Sequence, residues 1–313
     1  MSSPSASGEQ RVDVIVVGAG PAGLSAALLL GRARRSVVVF DDGTPRNRVS
    51  RASHGFLSRD GTSPRELLRI SREQLACYPS VRLEQVRVVD AQQCEGGGFE
   101  VVTASGARWR ARKLVLATGL VDQLPPVRGF EELYGRGVYS CPYCDGWELR
   151  EQPLAVYGQC DARGGELALE LTVWSRDVVL CTDGGSTLSQ ACSERLERHG
   201  VRVRHDRISH VEGDESAEPS LRVVVFEHGP PLERRALFVH SNPREASDLA
   251  LRAGCEAWSP TNIGVKRHGR AGPAGLFVIG DASRDVLQIA VAVGEGNEAA
   301  ITVNCELMRE DLR

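Results

Sequence analysis

Residues 12–17, Val-Asp-Val-Ile-Val-Val, run without a break into Gly18-Ala19-Gly20-Pro21-Ala22-Gly23 and then into an Ala/Leu-rich stretch at 24–30. A β-branched run, a glycine turn and a helix-forming segment in that order predict strand, tight turn, helix. The spacing Gly18-x-Gly20-x-x-Gly23 lets the backbone come close to a pyrophosphate and aims it at a helix N-terminus, whose free N–H groups and positive dipole end receive the charge. Residues 36–40 carry a second buried-strand pattern that completes a βαβ unit, so the sheet is expected to be parallel with right-handed crossovers. Asp41 ends that strand, 23 residues after Gly18, near the spacing of the acid that holds a ribose hydroxyl. Glycine-rich turns also occur for purely structural reasons, but here strand, helix and acid stand in register for dinucleotide binding.

The chain has 313 residues, long for one core and comfortable for two. A helix is expected at 64–76, meander strands at 86–89, 99–102 and 107–112 around Gly96-Gly97-Gly98, and a separate central strand at 114–117. Residues 122–129, with Pro125, Pro126 and Gly129, make the first boundary. A second βαβ-like unit follows, with strand 154–157, turn 158–165, helix 166–174, strand 178–181 and a helix near 189–199. After strands at 221–227 and 236–239, Ser241-Asn242-Pro243 marks the second boundary. Residues 276–279 lead into Gly280-Asp281, and the last helix covers about 288–308. The expected class is α/β with two Rossmann-like nucleotide-binding domains, residues 1–122 and 243–313 forming one of them around an inserted smaller module at 123–242.

With 38 Lys and Arg against 41 Asp and Glu, a net charge of -3 and the two signs interspersed, no electrostatic footprint for nucleic acid or an anionic membrane exists. No uncharged apolar run approaches the roughly 18 residues of a membrane helix. Residues 1–10 read as a loose polar tail without an export signal, which points to a cytoplasmic setting. Nine cysteines in a reducing compartment should be mostly thiols, so a close pair is catalytic or metal-binding before it is structural.

That pair is Cys141-Pro142-Tyr143-Cys144-Asp145-Gly146. Two thiols in a C-x-x-C turn close a small-ring disulfide, and stabilising one thiolate makes exchange through a mixed disulfide fast. Zinc would need two more ligands, and no second C-x-x-C or H-x-H pair supplies them, so no metal is expected. Cys77, Cys94, Cys160, Cys181, Cys192, Cys255 and Cys305 have no thiol partner at diagnostic spacing and read as buried small hydrophobes.

Two further segments narrow the dinucleotide. Ala117-Thr118-Gly119 closes a strand before the first boundary, and Gly280-Asp281 closes another late in the chain, ahead of Gln288 and Ile289 at a helix start. They match the pattern of FAD-dependent disulfide reductases, although Asp281 alone would also pass as a strand-end turn residue. The order of glycine fingerprint, Ala-Thr-Gly, Cys-x-x-Cys-Asp-Gly, second nucleotide-like unit and Gly-Asp resembles the low-molecular-weight thioredoxin reductases over essentially the whole chain. The resemblance implies FAD, held by Gly18, Gly20, Pro21, Ala22, Gly23, Asp41, Asp42, Arg46, Asn47, Ala117, Thr118, Gly119, Gly280, Asp281, Gln288 and Ile289, and a homodimer. By position, Cys144 is the flavin-side cysteine, Cys141 the outward cysteine that meets substrate, and Asp145 the acid/base for the thiol protons. His54 reads either as a base beside flavin or substrate or as a structural hydrogen-bonding residue. Arg46 and Asn47 either reach the pyrophosphate or are solvated, and Tyr143 and Trp147 line a substrate pocket or pack an interface.

The chain departs from the reductase pattern in the middle module. The second glycine turn, G-x-G-x-x-A in the reductases, is replaced by Gly158-Gln159-Cys160-Asp161-Ala162-Arg163, and the basic cluster for a 2′-phosphate by Cys181-Thr182-Asp183, whose acid would repel it. Loss of NADPH is the inference, and a thiol substrate then supplies the electrons. The runs Asp41-Asp42-Gly43-x-Pro45-Arg46-Asn47-Arg48 and Ser53-His54-Gly55-Phe56-Leu57-x-Arg59-Asp60-Gly61, with Cys-Pro-Tyr-Cys-Asp-Gly-Trp-Glu, resemble the dithiol oxidase branch that closes the disulfides of gliotoxin, holomycin and romidepsin. That resemblance implies a small-molecule dithiol as substrate and molecular oxygen as electron acceptor. The rivals are a thioredoxin reductase driven by NAD(P)H or ferredoxin, and a flavin-bound redox sensor without turnover.

Overall fold

The structure, a computed structural model, describes residues 10–216, 220–259, 262–283 and 286–313. Residues 1–9, most of the expected polar tail, lie outside that range. Two compact units emerge, one made of residues 1–48, 64–121 and 243–313, the other of residues 49–63 and 122–242. Segment 49–63, which the sequence reading left in the N-terminal domain, thus groups with the middle of the chain. The loop's own backbone bonds hold it: the Ser53 amide donates to the Thr62 carbonyl (2.8 Å) and the Gly61 amide to the Ser53 carbonyl (2.9 Å).

The first unit is built on a seven-stranded sheet. Strand Gln10–Val17 lies parallel between Val37–Phe40 and Arg108–Leu116, and Val81–Glu84 extends the sheet beyond Val37–Phe40. Phe99–Thr103 and Val88–Gln93 add an antiparallel arm. Residues 107–117, expected as two strands, form the single strand Arg108–Leu116. Its first half alternates buried and exposed side chains where it pairs antiparallel with Phe99–Thr103. Its second half is buried throughout, where Leu276–Val278 joins it in parallel. The change of partner changes the burial period, which is why one strand reads as two. Helices Pro21–Arg32 and Ile289–Asp311 pack on one face, and Ala26, Ala27, Ala299 and Ala300 are buried in the cluster there.

The second unit has its own five-stranded parallel sheet, in the order Arg202–Arg204, Val178–Cys181, Leu154–Tyr157, Ala236–Val239, Val138–Tyr139. An antiparallel sheet of Ile208–Gly213, Leu221–Phe226 and Leu232–Glu233 accompanies it. Continuous burial of Leu154, Ala155 and Val156, and of Val178 through Cys181, is what a parallel strand covered on both faces requires. The α/β class and the parallel, Rossmann-type sheets are as the sequence predicts.

Candidate functional site

In the first unit four distant segments converge on the carboxyl ends of the parallel strands. Gly18, at φ +103°, sits so close to the Ala117 carbonyl that a side chain there would overlap it, and Gly23 in turn has no room for a methyl beside the Gly18 carbonyl. Gly280, at φ +73°, faces the Ala22 methyl, and a Cβ on it would lie 2.9 Å away. The Gly18 amide donates to the Phe40 carbonyl (2.7 Å), and the Ala19 amide donates to Asp41 Oδ1 (3.1 Å). The fingerprint, Asp41, the Ala117-Thr118-Gly119 segment and Gly280 therefore meet.

Gly20 behaves differently, since a Cβ built on it meets nothing within 4 Å. This glycine caps helix Pro21–Arg32, which has no side-chain cap and no acid in its first turn. The helix N-terminus thus has room beside Gly20 and no side chain capping it, a cradle that fits a pyrophosphate. FAD fits this site: the amides of Gly20, Ala22 and Gly23 would receive the phosphates, with Pro21, which has no N–H to give, setting the first turn of the helix, while the long helix that begins at Ile289, after Gln288 at its N-cap, likewise has no acid in its first turn.

Other expected contacts are already engaged within the unit. Asp41 Oδ2 also takes a salt bridge from Arg72 (3.0 Å). Asp42, next to Asp41, is exposed and closes its own turn, accepting from the Thr44 amide (3.1 Å) and hydroxyl (2.6 Å). Arg46 pairs with Asp281 (3.0 Å), while Asn47 lies half-buried on the same short helical turn, Arg46–Val49. Two acids escaped the sequence reading. Glu295 accepts from the Gly280 amide (2.7 Å) and pins that turn. Glu245, opposite Leu120 on the short ladder next to Gly119, has an Oε1 without a hydrogen-bond partner, and burial pushes its carboxyl up to about 8. Neither lies in a motif, so only the fold reveals them.

In the second unit Cys141 and Cys144 form a disulfide, with Cα atoms 5.3 Å apart. Pro142 starts the single turn Pro142–Asp145, and the Cys144 and Asp145 amides both donate to the Cys141 carbonyl (3.1 and 3.3 Å). Gly146 is required next: a Cβ there would lie 2.9 Å from the Trp174 ring. Tyr143 stands exposed with its ring edge-on to Trp174 (5.5 Å), and exposed Trp147 carries the Arg150 guanidinium over its face (4.3 Å). Asp145 is the perturbed acid of the site. Burial first, and then the charge of Glu148, push its carboxyl up to about 7, while His54 acts in the opposite direction. His54 itself comes from segment 49–63, with Nε2 3.7 Å from Glu148 and Nδ1 3.5 Å from Asp60. Sequence reading named His54 and Asp145 separately and quoted Asp60 and Glu148 only as members of the runs that carry the resemblance, without a role for either. The six-residue spacing of His54 and Asp60 across a Gly55/Gly61 turn was the available signal.

The second glycine turn has a local explanation that the motif comparison missed. Gly18 and Gly23 are five residues apart, whereas the corresponding close approach here joins Gly158 and Gly164, six apart. The extra residue is absorbed by a π-helical turn, Asp161–Gly165. The close approach to Gly158 is thus made by the Arg163 carbonyl and by Gly164, so that no side chain of Cys160 or Arg163 has to fit there. The loop after strand Val178–Cys181 then folds back on the turn: the Thr187 amide donates to the Gln159 carbonyl (2.7 Å), and the Ser189 amide to Asp161 Oδ1 (2.8 Å); the Ser189 hydroxyl first, and then this amide, hold that carboxyl below its usual range. Asp183 accepts from the Ile208 amide (2.8 Å) and the Tyr157 hydroxyl (3.2 Å). Of the remaining cysteines, Cys181, Cys192 and Cys255 are buried as expected, but Cys77 is exposed at a helix end and Cys94, Cys160 and Cys305 are half-exposed.

Comparison with known proteins accords with this architecture. The family model described as pyridine nucleotide-disulphide oxidoreductase matches residues 12–296. A probable thioredoxin reductase of Arthroderma benhamiae is 32% identical over 331 residues, covering 96% of this chain and 82% of its own. Thioredoxin reductase tcpT of Claviceps purpurea is 30% identical, covering 96% and 95%. The crystal structure of HlmI superposes with a TM-score of 0.90 at 34% identity, covering 96% of this chain and 94% of its own. No helix among the described residues is long and apolar enough to cross a membrane. With a Rossmann-type glycine cradle in one unit and a Cys-x-x-Cys disulfide next to a half-buried acid in the other, the chain belongs to the pyridine nucleotide-disulphide oxidoreductases, as an FAD-binding enzyme of thioredoxin reductase-like fold.

Proposed function

We propose that this oxidoreductase is a dithiol oxidase, closing an intramolecular disulfide in a small-molecule dithiol through Cys141 and Cys144. One observation carries the reading: in the middle unit the groups that would receive a phosphorylated nicotinamide are consumed by the chain itself. Asp183 is spent on Ile208 and Tyr157, Asp161 places a carboxylate at the start of the helical turn, and the 182–189 loop is bonded across it. A carboxylate at either place repels phosphate where a reductase would attract it.

A substrate thiolate attacks Cys141, breaking the Cys141–Cys144 bond and leaving Cys144 as thiolate. The second substrate thiolate then attacks the mixed disulfide, expels Cys141 and closes the product, helped by the high effective molarity of two thiols on one molecule. Substrate loses two electrons, the pair gains them, and Asp145 handles the protons with a carboxyl that titrates near neutrality. Bound FAD would supply the acceptor for the two electrons of the pair, and in this reading oxygen would take them from it with release of hydrogen peroxide. Thioredoxin reductase names among the relatives keep the reverse flow, from a nicotinamide to a protein disulfide, as the competing direction.

Anaerobic mixing of the FAD-loaded protein with a small dithiol, or with NADPH, separates the two. Rapid flavin bleaching by the dithiol and stoichiometric peroxide on admitting air are expected. Rapid bleaching by NADPH, with no peroxide from dithiols, would overturn the proposal.

A further inference from the structure

We infer that Arg46 serves the FAD site as a positioning residue acting through Asp281: it holds and offsets a carboxylate that would otherwise repel the diphosphate received by the neighbouring glycine turn. Folding alone makes the pair, since 235 positions separate the two residues and both fall in the first unit. Arg46 Nη1 donates to Asp281 Oδ2 at 3.0 Å, and only 22% and 24% of the two side chains are exposed.

Asp281 is fixed beside the cradle. Gly280, the residue before it, faces the Ala22 methyl in the first turn of helix Pro21–Arg32. The Gly280 amide donates to Glu295 (2.7 Å) and the Ser283 hydroxyl to the Gly280 carbonyl (3.0 Å), so the turn Gly280–Ser283 is tied at both of that residue's backbone groups. A turn held in this way does not swing its carboxylate aside when a polyanion arrives. A mostly enclosed carboxylate next to a diphosphate weakens binding unless a cation meets it, because little water is there to screen the two charges.

The other border of the glycine turn repeats the pattern. Asp41 accepts from the Ala19 amide with Oδ1 (3.1 Å) and carries Arg72 on Oδ2 (3.0 Å). Each of the two aspartates that border the cradle thus has an arginine on one oxygen, Arg46 from the loop after strand Val37–Phe40 and Arg72 from helix Pro64–Ala76. The Arg72 side chain is 42% exposed, so solvent already screens the Asp41 pair, and Arg46 carries the larger effect.

An arginine that donated directly to a phosphate would act whether or not Asp281 is charged, and a double-variant cycle separates the two roles. The readout is the FAD dissociation constant, from the fluorescence of flavin released on serial dilution of the holoprotein. Arg46→Gln should weaken FAD roughly tenfold or more, because it leaves Asp281 unopposed. Arg46→Gln/Asp281→Asn should bind FAD more tightly than Arg46→Gln alone, since the repelling charge is gone. A double variant that binds as weakly as Arg46→Gln, or more weakly, would overturn the inference, for that is the result of an arginine serving the phosphate or merely shaping the loop. Arg46→Lys keeps a cation and can still make the single Nη1 contact, so it should stay within about threefold of wild type. Melting temperatures at saturating FAD identify a variant that has lost its fold. If Arg46→Gln is such a variant, Arg46→Lys decides: a folded Arg46→Lys protein that loses about tenfold or more in FAD affinity sinks the charge-balancing role.

Discussion

The carbonyl oxygen of Gly18 occupies the space that a methyl group on Gly23 would need. This contact seats the first helix against the end of the first strand, and it sets Gly23 apart from Gly20, three residues earlier, which borders open space. Gly23→Ala should therefore displace the helix, cost about 2–3 kcal/mol, and empty the protein of FAD. Gly20→Ala should melt close to wild type yet retain less flavin, because its methyl would stand where the pyrophosphate passes. Thermal unfolding and the flavin absorbance of the purified proteins measure both.

Cys144→Ser should keep full FAD and an unchanged fold while losing dithiol-driven flavin bleaching altogether. A serine cannot form the disulfide that Cys141 and Cys144 share. Turnover at the wild-type rate in this variant would remove the pair from the mechanism.

The rate of the thiol step should climb with pH through a midpoint near 7, following ionisation of Asp145. The sign comes from the acid acting as base: below its pKa the carboxyl is protonated and cannot accept a thiol proton. Asp145→Asn should flatten this limb and lower the rate by about a hundredfold, the lower end of what a positioned base contributes.

Glu245 offers a stability prediction. Its folded carboxyl is raised by burial from 4.5 to about 8, so the contribution of the protonated form is full below the unfolded value and is lost as pH rises through the folded one. Glu245→Gln stays neutral throughout. It should match wild type near pH 4 and melt a few degrees higher than wild type at pH 9, measured on the flavin-free protein.

In the middle unit, Asp183→Ala should destabilise by about 1–3 kcal/mol, because the Ile208 amide and the Tyr157 hydroxyl lose their acceptor. NADPH should leave the melting temperature of the wild-type protein unchanged. A concentration-dependent rise would reveal a bound nucleotide and reopen the reductase direction.

Much of this was legible in contiguous residues. The Gly18, Gly20 and Gly23 turn, the parallel strands around it and the Cys141–Cys144 pair are short-range patterns, in which backbone geometry or ring size dictates the residue type. The sheet arm was half legible: strand Arg108–Leu116 changes burial period where its neighbour changes, and a single-chain pattern shows the change but not the neighbour. The second glycine turn misled for a similar reason, because a one-residue insertion absorbed as a π-turn moves the close approach from the expected position to Gly164.

Linear order therefore settled the α/β class, the dinucleotide cradle and the redox pair, each of which needs only neighbouring residues in a fixed conformation. Three-dimensional packing alone settled which charges meet: His54 with Glu148 and Asp60, Arg46 with Asp281, Asp183 with Tyr157, and Glu245 with no partner for its Oε1. Burial and electrostatic fields depend on distance through space, and residues far apart in the chain carry no mark in their spacing of whether the fold will bring them together.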